Sequence, residues 1–240
     1  MGQDEGEDQE GGALAEHLFR ARQALDRERE GAPEQVAELL ARPPREQPQR
    51  LAADPRLQTW GVAERLLTCS QERLAAAAPR TYRPKAPPAP ARPADLAELA
   101  EDAARLARLV LIVADLLTGR HPAALLEDLR ARAWASIGEA CLAGDDLEGA
   151  TQALRSAANA LRHGTGDLLI DARLLEFEAA VLSRQARPGE SLALLKQAAA
   201  RYRRVNEPDH LARVLARREE LETEERPADP ASHLAFQKLG

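Results

Sequence analysis

Apolar residues recur every three to four positions along most of this chain, a spacing that places them on one side of an α-helix. Leu14, Leu18, Ala21 and Leu25 predict an amphipathic helix over 13–30 that ends near Gly31. Pro33 then opens a short helix through Val36, Leu39 and Leu40, which Arg42-Pro43-Pro44 stops. A helix over about 57–78 carries Trp60, Ala63 and Leu67. The next, over 95–117, is apolar on nearly all sides around Leu109 to Val113, which predicts that it is covered on both faces. Pro122 begins a helix that runs into Trp134, and the chain folds back at Gly144-Asp145-Asp146 into another carrying Ala150, Leu154 and Ala157. Gly164-Thr165-Gly166-Asp167 reads as a helix stop followed by an N-cap, since no strand precedes it and no lysine follows to make a phosphate loop. Three further helices follow, through Leu175, Ala179 and Leu182, through Ser191, Leu195 and Ala198, and through Leu211, Val214, Leu215 and Leu221. Strand formers are scarce, so the chain is all-α.

Between Ala131 and Arg162 the order of residue types is more specific than periodicity alone. Trp134, Ile137, Gly138 and Cys141 share one side of the first helix, and Ala150, Leu154 and Ala157 one side of the second. Small residues at Gly138 and Ala150 allow two antiparallel helices to cross closely, while Trp134 and Leu154 fill the space that remains. This set resembles the signature of the tetratricopeptide repeat (TPR) family. A second occurrence runs through Leu175, Ala179, Leu182, Ser191, Leu195 and Ala198. A degenerate one runs through Trp60, Ala63 and Leu67, with Leu96, Ala100 and Ala103 as its partners and Glu64 where a small residue is usual. The resemblance covers Pro33 to Glu224 and is similar to that of bacterial TPR proteins with a divergent N-terminal region. It implies antiparallel helical hairpins stacked as a short TPR-like α-solenoid. Trp134 and Leu175 stand 41 residues apart, against about 34 in the family, so the helix of Leu175 is expected to be extended at its N-terminal end.

In that family the inner faces of the first helices line a concave groove that binds protein or peptide. Projection along the helices places Arg132, Ser136 and Glu139 on that face in one repeat, and Arg173, Phe177, Ala180 and Arg184 in the next. Phe177 with Arg173 is the candidate anchor, because aromatics and arginine dominate interface energetics; the alternative is that Phe177 packs on the neighbouring helix layer. The lysine and asparagine arrangement by which some members clamp a peptide carboxylate is absent, so capture of a C-terminal acidic peptide is not expected. Glu178 points among Leu174, Leu175, Val181 and Leu182 and is expected to draw an arginine from a neighbouring helix.

Composition divides the chain further. Residues 1–12 read as a disordered acidic tail, 13–121 as a divergent helical N-terminal region, 122–224 as the TPR-like repeats with a capping helix, and 225–240 as a flexible tail. The proline-rich insertion 79–93 carries Arg80, Tyr82, Arg83, Lys85 and Arg92 and no acidic residue. It is read either as a docking arm for a proline-recognising or acidic partner or as a surface insertion. The formal charge is −6, to which the acidic tail contributes −5, so the body is nearly neutral and a large nucleic-acid footprint is not expected. Aromatics are 3% of the chain, which argues against a deep aromatic ligand pocket.

Cys69 and Cys141 sit where small apolar residues would serve, as free thiols of a reducing cytoplasm do. The N-terminus is acidic where a secretory signal would be basic and then apolar, and the apolar run Leu106 to Leu117 contains Arg108 and Asp115. A cytoplasmic protein without a membrane partner is expected. The five histidines are scattered and form no metal-ligand pair, and no nucleophile, base and oxyanion set can be assembled. No catalysis, metal or cofactor is expected. The function that follows is a non-catalytic scaffold for protein–protein or protein–peptide binding. The alternatives are a dedicated regulatory subunit of a protease, nuclease or transcription factor, or a self-assembling protein. Monomer, hetero-complex subunit and homo-oligomer all remain open at this level.

Overall fold

Alanine, leucine, arginine and glutamate dominate the chain, and every named element among the described residues is accordingly helical. The computed structural model describes residues 4–77 and 93–224. Its helices are α1 (Asp4–Leu40), α2 (Gln47–Ala53), α3 (Trp60–Ala77), α4 (Pro93–Leu116), α5 (Ala123–Ala143), α6 (Leu147–Arg162), α7 (Leu168–Arg184), α8 (Pro188–Arg204) and α9 (Pro208–Glu224). Short 3₁₀ turns, Pro44–Glu46 and Pro55–Leu57, flank α2. Each helix from α3 onward packs mainly on its neighbours in sequence, and α3 also meets α5 as α5 meets α7. None of the described helices is long and apolar enough to cross a membrane. The tail assigned to 225–240 lies outside the described residues.

Helix α1 departs from the sequence reading twice. Its backbone is helical from Asp4, within the segment read as a disordered tail, and it carries Pro33 in its interior instead of restarting there. Proline removes the amide that would bond the Arg29 carbonyl. Tertiary contacts hold the helix on both sides of that gap. Ala32, next to the proline, and Val36 and Leu39 on its C-terminal side are buried in the core with Leu51, Leu57, Val62 and Leu66. On the N-terminal side Glu28 Oε2 accepts the Trp60 and Gly61 amides at 2.9 and 3.4 Å, so a carboxylate from α1 caps α3. A Cβ at Gly61 would stand 2.5 Å from the Glu28 carbonyl oxygen, and only glycine lets the two helices meet there.

One turn further along α3, Glu64 accepts the Trp60 Nε1–H at 2.8 Å and two bonds from Arg29 at 2.7 and 3.0 Å. Burial by itself would raise its pKa, but the bonds from Arg29 and Trp60 outweigh it and hold the carboxyl below its ordinary value. Glu64 thus ties α3 to α1. Helix α4 is covered by α2, α3 and α5 and buries Ala103, Leu106, Ala107, Val110, Val113 and Ala114. The Ser70 hydroxyl donates to the Ala103 carbonyl at 2.8 Å across the α3–α4 contact.

The turns α5–α6, α7–α8 and α8–α9 have one construction. Asp145, Ala186 and Asn206 adopt left-handed φ of 63°, 56° and 56°. The amide after each returns to a carbonyl of the last helical turn: Asp146 to Cys141 at 2.8 Å, Arg187 to Leu182 at 3.0 Å and Glu207 to Tyr202 at 3.0 Å. Between α6 and α7 the connection is longer, and the carboxylate of Asp128 on α5 holds it by accepting the Thr165 amide at 3.1 Å and its hydroxyl at 2.5 Å. Asp167 then caps α7 by accepting the Leu169 amide at 2.7 Å. This connection and the 16 residues of α6 lie between Trp134 and Leu175. Helix α7 begins at Leu168, so a stretch of helix precedes Leu175.

Alanine at a left-handed position carries a Cβ penalty that glycine does not, so Ala186→Gly is expected to raise stability by about 1 kcal/mol in urea denaturation. Glu64→Gln is expected to cost about 1 kcal/mol at pH 7. The folded pKa of Glu64 lies below its ordinary 4.5. The wild-type advantage is therefore present above that value and is lost as pH falls through the lower, folded one. Paired denaturation curves at neutral and acid pH check this.

Candidate binding groove

Helices α5 and α7 lie side by side, and their polar faces meet in a small pocket. Arg132, Ser136 and Glu139 come from α5 and Arg173 from α7, with Ala131, Ala135, Ile170 and Leu174 as the apolar wall. The enclosed space is about 10 Å³, room for one water-sized group. Neither Arg132 nor Arg173 has a carboxylate within ion-pair distance among the described residues, and Arg132 makes no hydrogen bond. The sole partner of Arg173 is the neutral amide of Gln71 on α3, whose oxygen accepts at 2.9 and 3.1 Å when turned toward it. Burial lowers the pKa of Arg132, and the charge of Arg173 adds to that. Burial also raises the pKa of Glu139, with Arg173 acting against it. Two guanidinium groups without ion-pair partners thus share a pocket with a carboxyl that burial pushes toward its neutral form, while Glu64, Asp167 and Asp128 act on Arg132 only from beyond ion-pair distance.

The other sequence-predicted groove residues lie apart from these. Phe177 is 2% exposed and is core, not an anchor for a partner. A Cβ at Gly138 would stand 2.1 Å from its ring, so Phe177 fills the space that glycine leaves on α5 and packs beside Ala150, Ala157 and Val181. Projection along α7 alone could not show this, because the hole belongs to another helix. Arg184 turns to the α5–α6 turn, bonding Asp145 at 2.9 Å and the Leu142 carbonyl at 3.1 Å. Ala180 lines a second cavity. The docking-arm residues Arg80, Tyr82, Arg83, Lys85 and Arg92 lie outside the described residues.

That second cavity, of about 230 Å³, lies between α7, α8 and α9. Ala179, Ser191 and Leu195 are its buried floor, Ala180 and Glu176 line one side, and exposed Arg213 and Arg217 the other. Glu176 accepts two bonds from Arg213 at 2.7 and 2.8 Å and the Tyr202 hydroxyl at 2.8 Å, fastening α9 to α7 and α8. Arg213 also donates to His210 Nδ1 at 2.8 Å, and that ring stacks on fully buried Tyr202. Burial, and then Arg213, lowers the His210 pKa. Sequence reasoning gave the arginine to Glu178, yet among the described residues Glu178 makes no ion pair and Glu176 takes that role. It also overlooked Arg213 and Arg217, whose i, i+4 spacing on α9 was the available signal.

Among the described residues no group of histidine, cysteine, aspartate and glutamate could hold a metal ion. Cys69 and Cys141 are free, partly buried thiols whose pKa values burial raises. Comparison with protein-family models, with curated proteins and with solved structures finds no match to this chain.

Phe177→Ala is expected to destabilise the protein by about 3–5 kcal/mol, the cost of emptying a buried aromatic site. Thermal and urea unfolding check this. A loss below about 1 kcal/mol would mean that the ring is not part of the core.

Proposed function

We propose that the chain is a cytoplasmic, non-catalytic helical-repeat scaffold, a short TPR-like α-solenoid, that binds a protein or peptide along the face made by α3, α5, α7 and α9. The observation that carries this reading is the pair Arg132 and Arg173. The other half-buried arginines among the described residues are paired with carboxylates, as in Arg50–Asp54, Arg130–Asp115 and Arg201–Asp171. A partly buried guanidinium without a counter-charge is costly in the free protein and is compensated when an anionic group enters. The partner surface is accordingly acidic, and a nucleic acid does not suit a body whose net charge is nearly neutral. The repeated turns at Asp145 and Ala186 support the repeat reading, since they recur at a spacing of 41 residues.

A second reading makes the chain a dedicated subunit or a self-assembling protein. It is favoured by Leu18 and Phe19 on α1, which are 59% and 61% exposed although they lie on a helix whose later turns are core. Light scattering of the purified chain separates a self-assembler from a monomer.

To test the groove, the intact chain and an Arg132→Glu/Arg173→Glu variant are purified from the native cell and bound proteins quantified by mass spectrometry. The expected result is a stoichiometric protein reduced at least about tenfold on the variant, as loss of paired interface charges would give, with unchanged circular dichroism. Equal recovery on both would remove the groove from the reading.

A further inference from the structure

Helices α7 and α9 carry matching residues at several positions, but α7 packs closely on α5 and meets α9 mainly through side chains. Helices α7 and α9 begin at Leu168 and Pro208, and the offset of 40 between them superposes buried Leu174 on buried Val214 and buried Val181 on buried Leu221. The same offset superposes Arg173 on Arg213 and Phe177 on Arg217. Between α5 and α7 the Phe177 ring enters the space beside Gly138. Between α7 and α9 the corresponding residue is an arginine that turns outward to Glu220 at 2.9 Å and to the Ser183 hydroxyl at 3.3 Å. No aromatic ring of α9 enters there, and the 230 Å³ cavity is lined by Arg217 itself and by Ala179, the residue 41 positions after Gly138.

We infer that this cavity is a pocket for a phenylalanine-sized side chain of an acidic peptide segment, an inference that rests on the groove reading above. Size supports it, since an apolar cavity of about 150 Å³ already holds benzene. Chemistry supports it as well. The floor is Ala179 and Leu195, and the hydroxyl of Ser191 is already donated to the Ala179 carbonyl at 2.8 Å, so the floor is apolar in effect. The rim carries Arg213, already paired with Glu176, and Arg217, paired with Glu220, while Arg173, which has no ion pair, stands one turn before Glu176 on the adjoining face of α7. An aromatic side chain seated on that floor places a flanking residue toward Arg173, the guanidinium without an ion pair, where a carboxylate is favoured and an ammonium group repelled. The partner would thus supply the ring that α9 lacks.

The test titrates the full chain with three amidated, N-acetylated tetrapeptides, Asp-Glu-Phe-Asp, Asp-Glu-Ala-Asp and Lys-Lys-Phe-Lys, followed by NMR shifts and calorimetry. The inference expects the acidic phenylalanine peptide to bind at least about tenfold more tightly than its alanine counterpart, and the basic peptide to give no saturable shift. Arg217→Phe, which fills the cavity from within as Phe177 fills the space beside Gly138, is expected to weaken the first peptide at least about tenfold while the unfolding temperature holds or rises. Ala180→Leu blocks the same space from α7 and guards against a local effect of the first variant. Equal binding of the phenylalanine and alanine peptides, binding that survives both variants, or no binding of any peptide at millimolar concentration overturns the pocket. If the two acidic peptides bind equally and Arg173→Glu abolishes both, the groove reading stands and only the pocket falls.

Discussion

The contact on which the C-terminal half depends is the Phe177 ring in the space that Gly138 leaves. Any side chain at 138 would begin 2.1 Å from that ring, and Ala153 on α6 already stands 3.1 Å from the same point. Three helices are therefore located by one close approach, which is how a core poor in aromatics can still be specific. With α5 and α7 held at that distance, Arg132, Ser136, Glu139 and Arg173 are brought to one pocket although they come from different helices. Between α7 and α9 there is a cavity, and polar bonds through Glu176, Arg213 and Tyr202 secure the last helix.

The N-terminal half is secured by carboxylates placed against helix starts and cations. Glu28 caps α3, and Glu64 joins Arg29 to the Trp60 indole. Both links bridge α1 and α3 at the one place where Gly61 lets their backbones approach. Helix α4, apolar on almost every side, fills the space between α3 and α5. The result is a base against which α5 can present a polar face without losing its own burial through Leu126, Leu129 and Ala133.

Periodicity and helix punctuation made most elements legible: the helices α3 to α9, the stop at Arg42-Pro43-Pro44 and the Asp167 cap all stand in the residue pattern. Pro33 misled, because a proline signals a helix start locally while packing of Ala32 and Val36 decides whether the helix continues. For the site, polar residues on the α5 face could be read from spacing, since their environment is set by their own helix. Phe177 could not, because its place depends on a missing Cβ on α5, and neither could the exchange of Glu178 for Glu176, because the choice belongs to Arg213 on α9. Local pattern reports which face a residue shares; it does not report what the next helix brings to that face.

The central claim is that partners meet the α5–α7–α9 face and not the outer helices. Photo-crosslinking from single sites in the native cell tests it most directly. A benzophenone amino acid is placed in turn at Arg132 and Ala180 on the groove, and at exposed Arg155 on α6 and Lys196 on α8. The account predicts a shared crosslinked protein from the two groove positions and none from the outer pair. Crosslinks from Arg155 or Lys196 with none from Arg132 or Ala180 would contradict it.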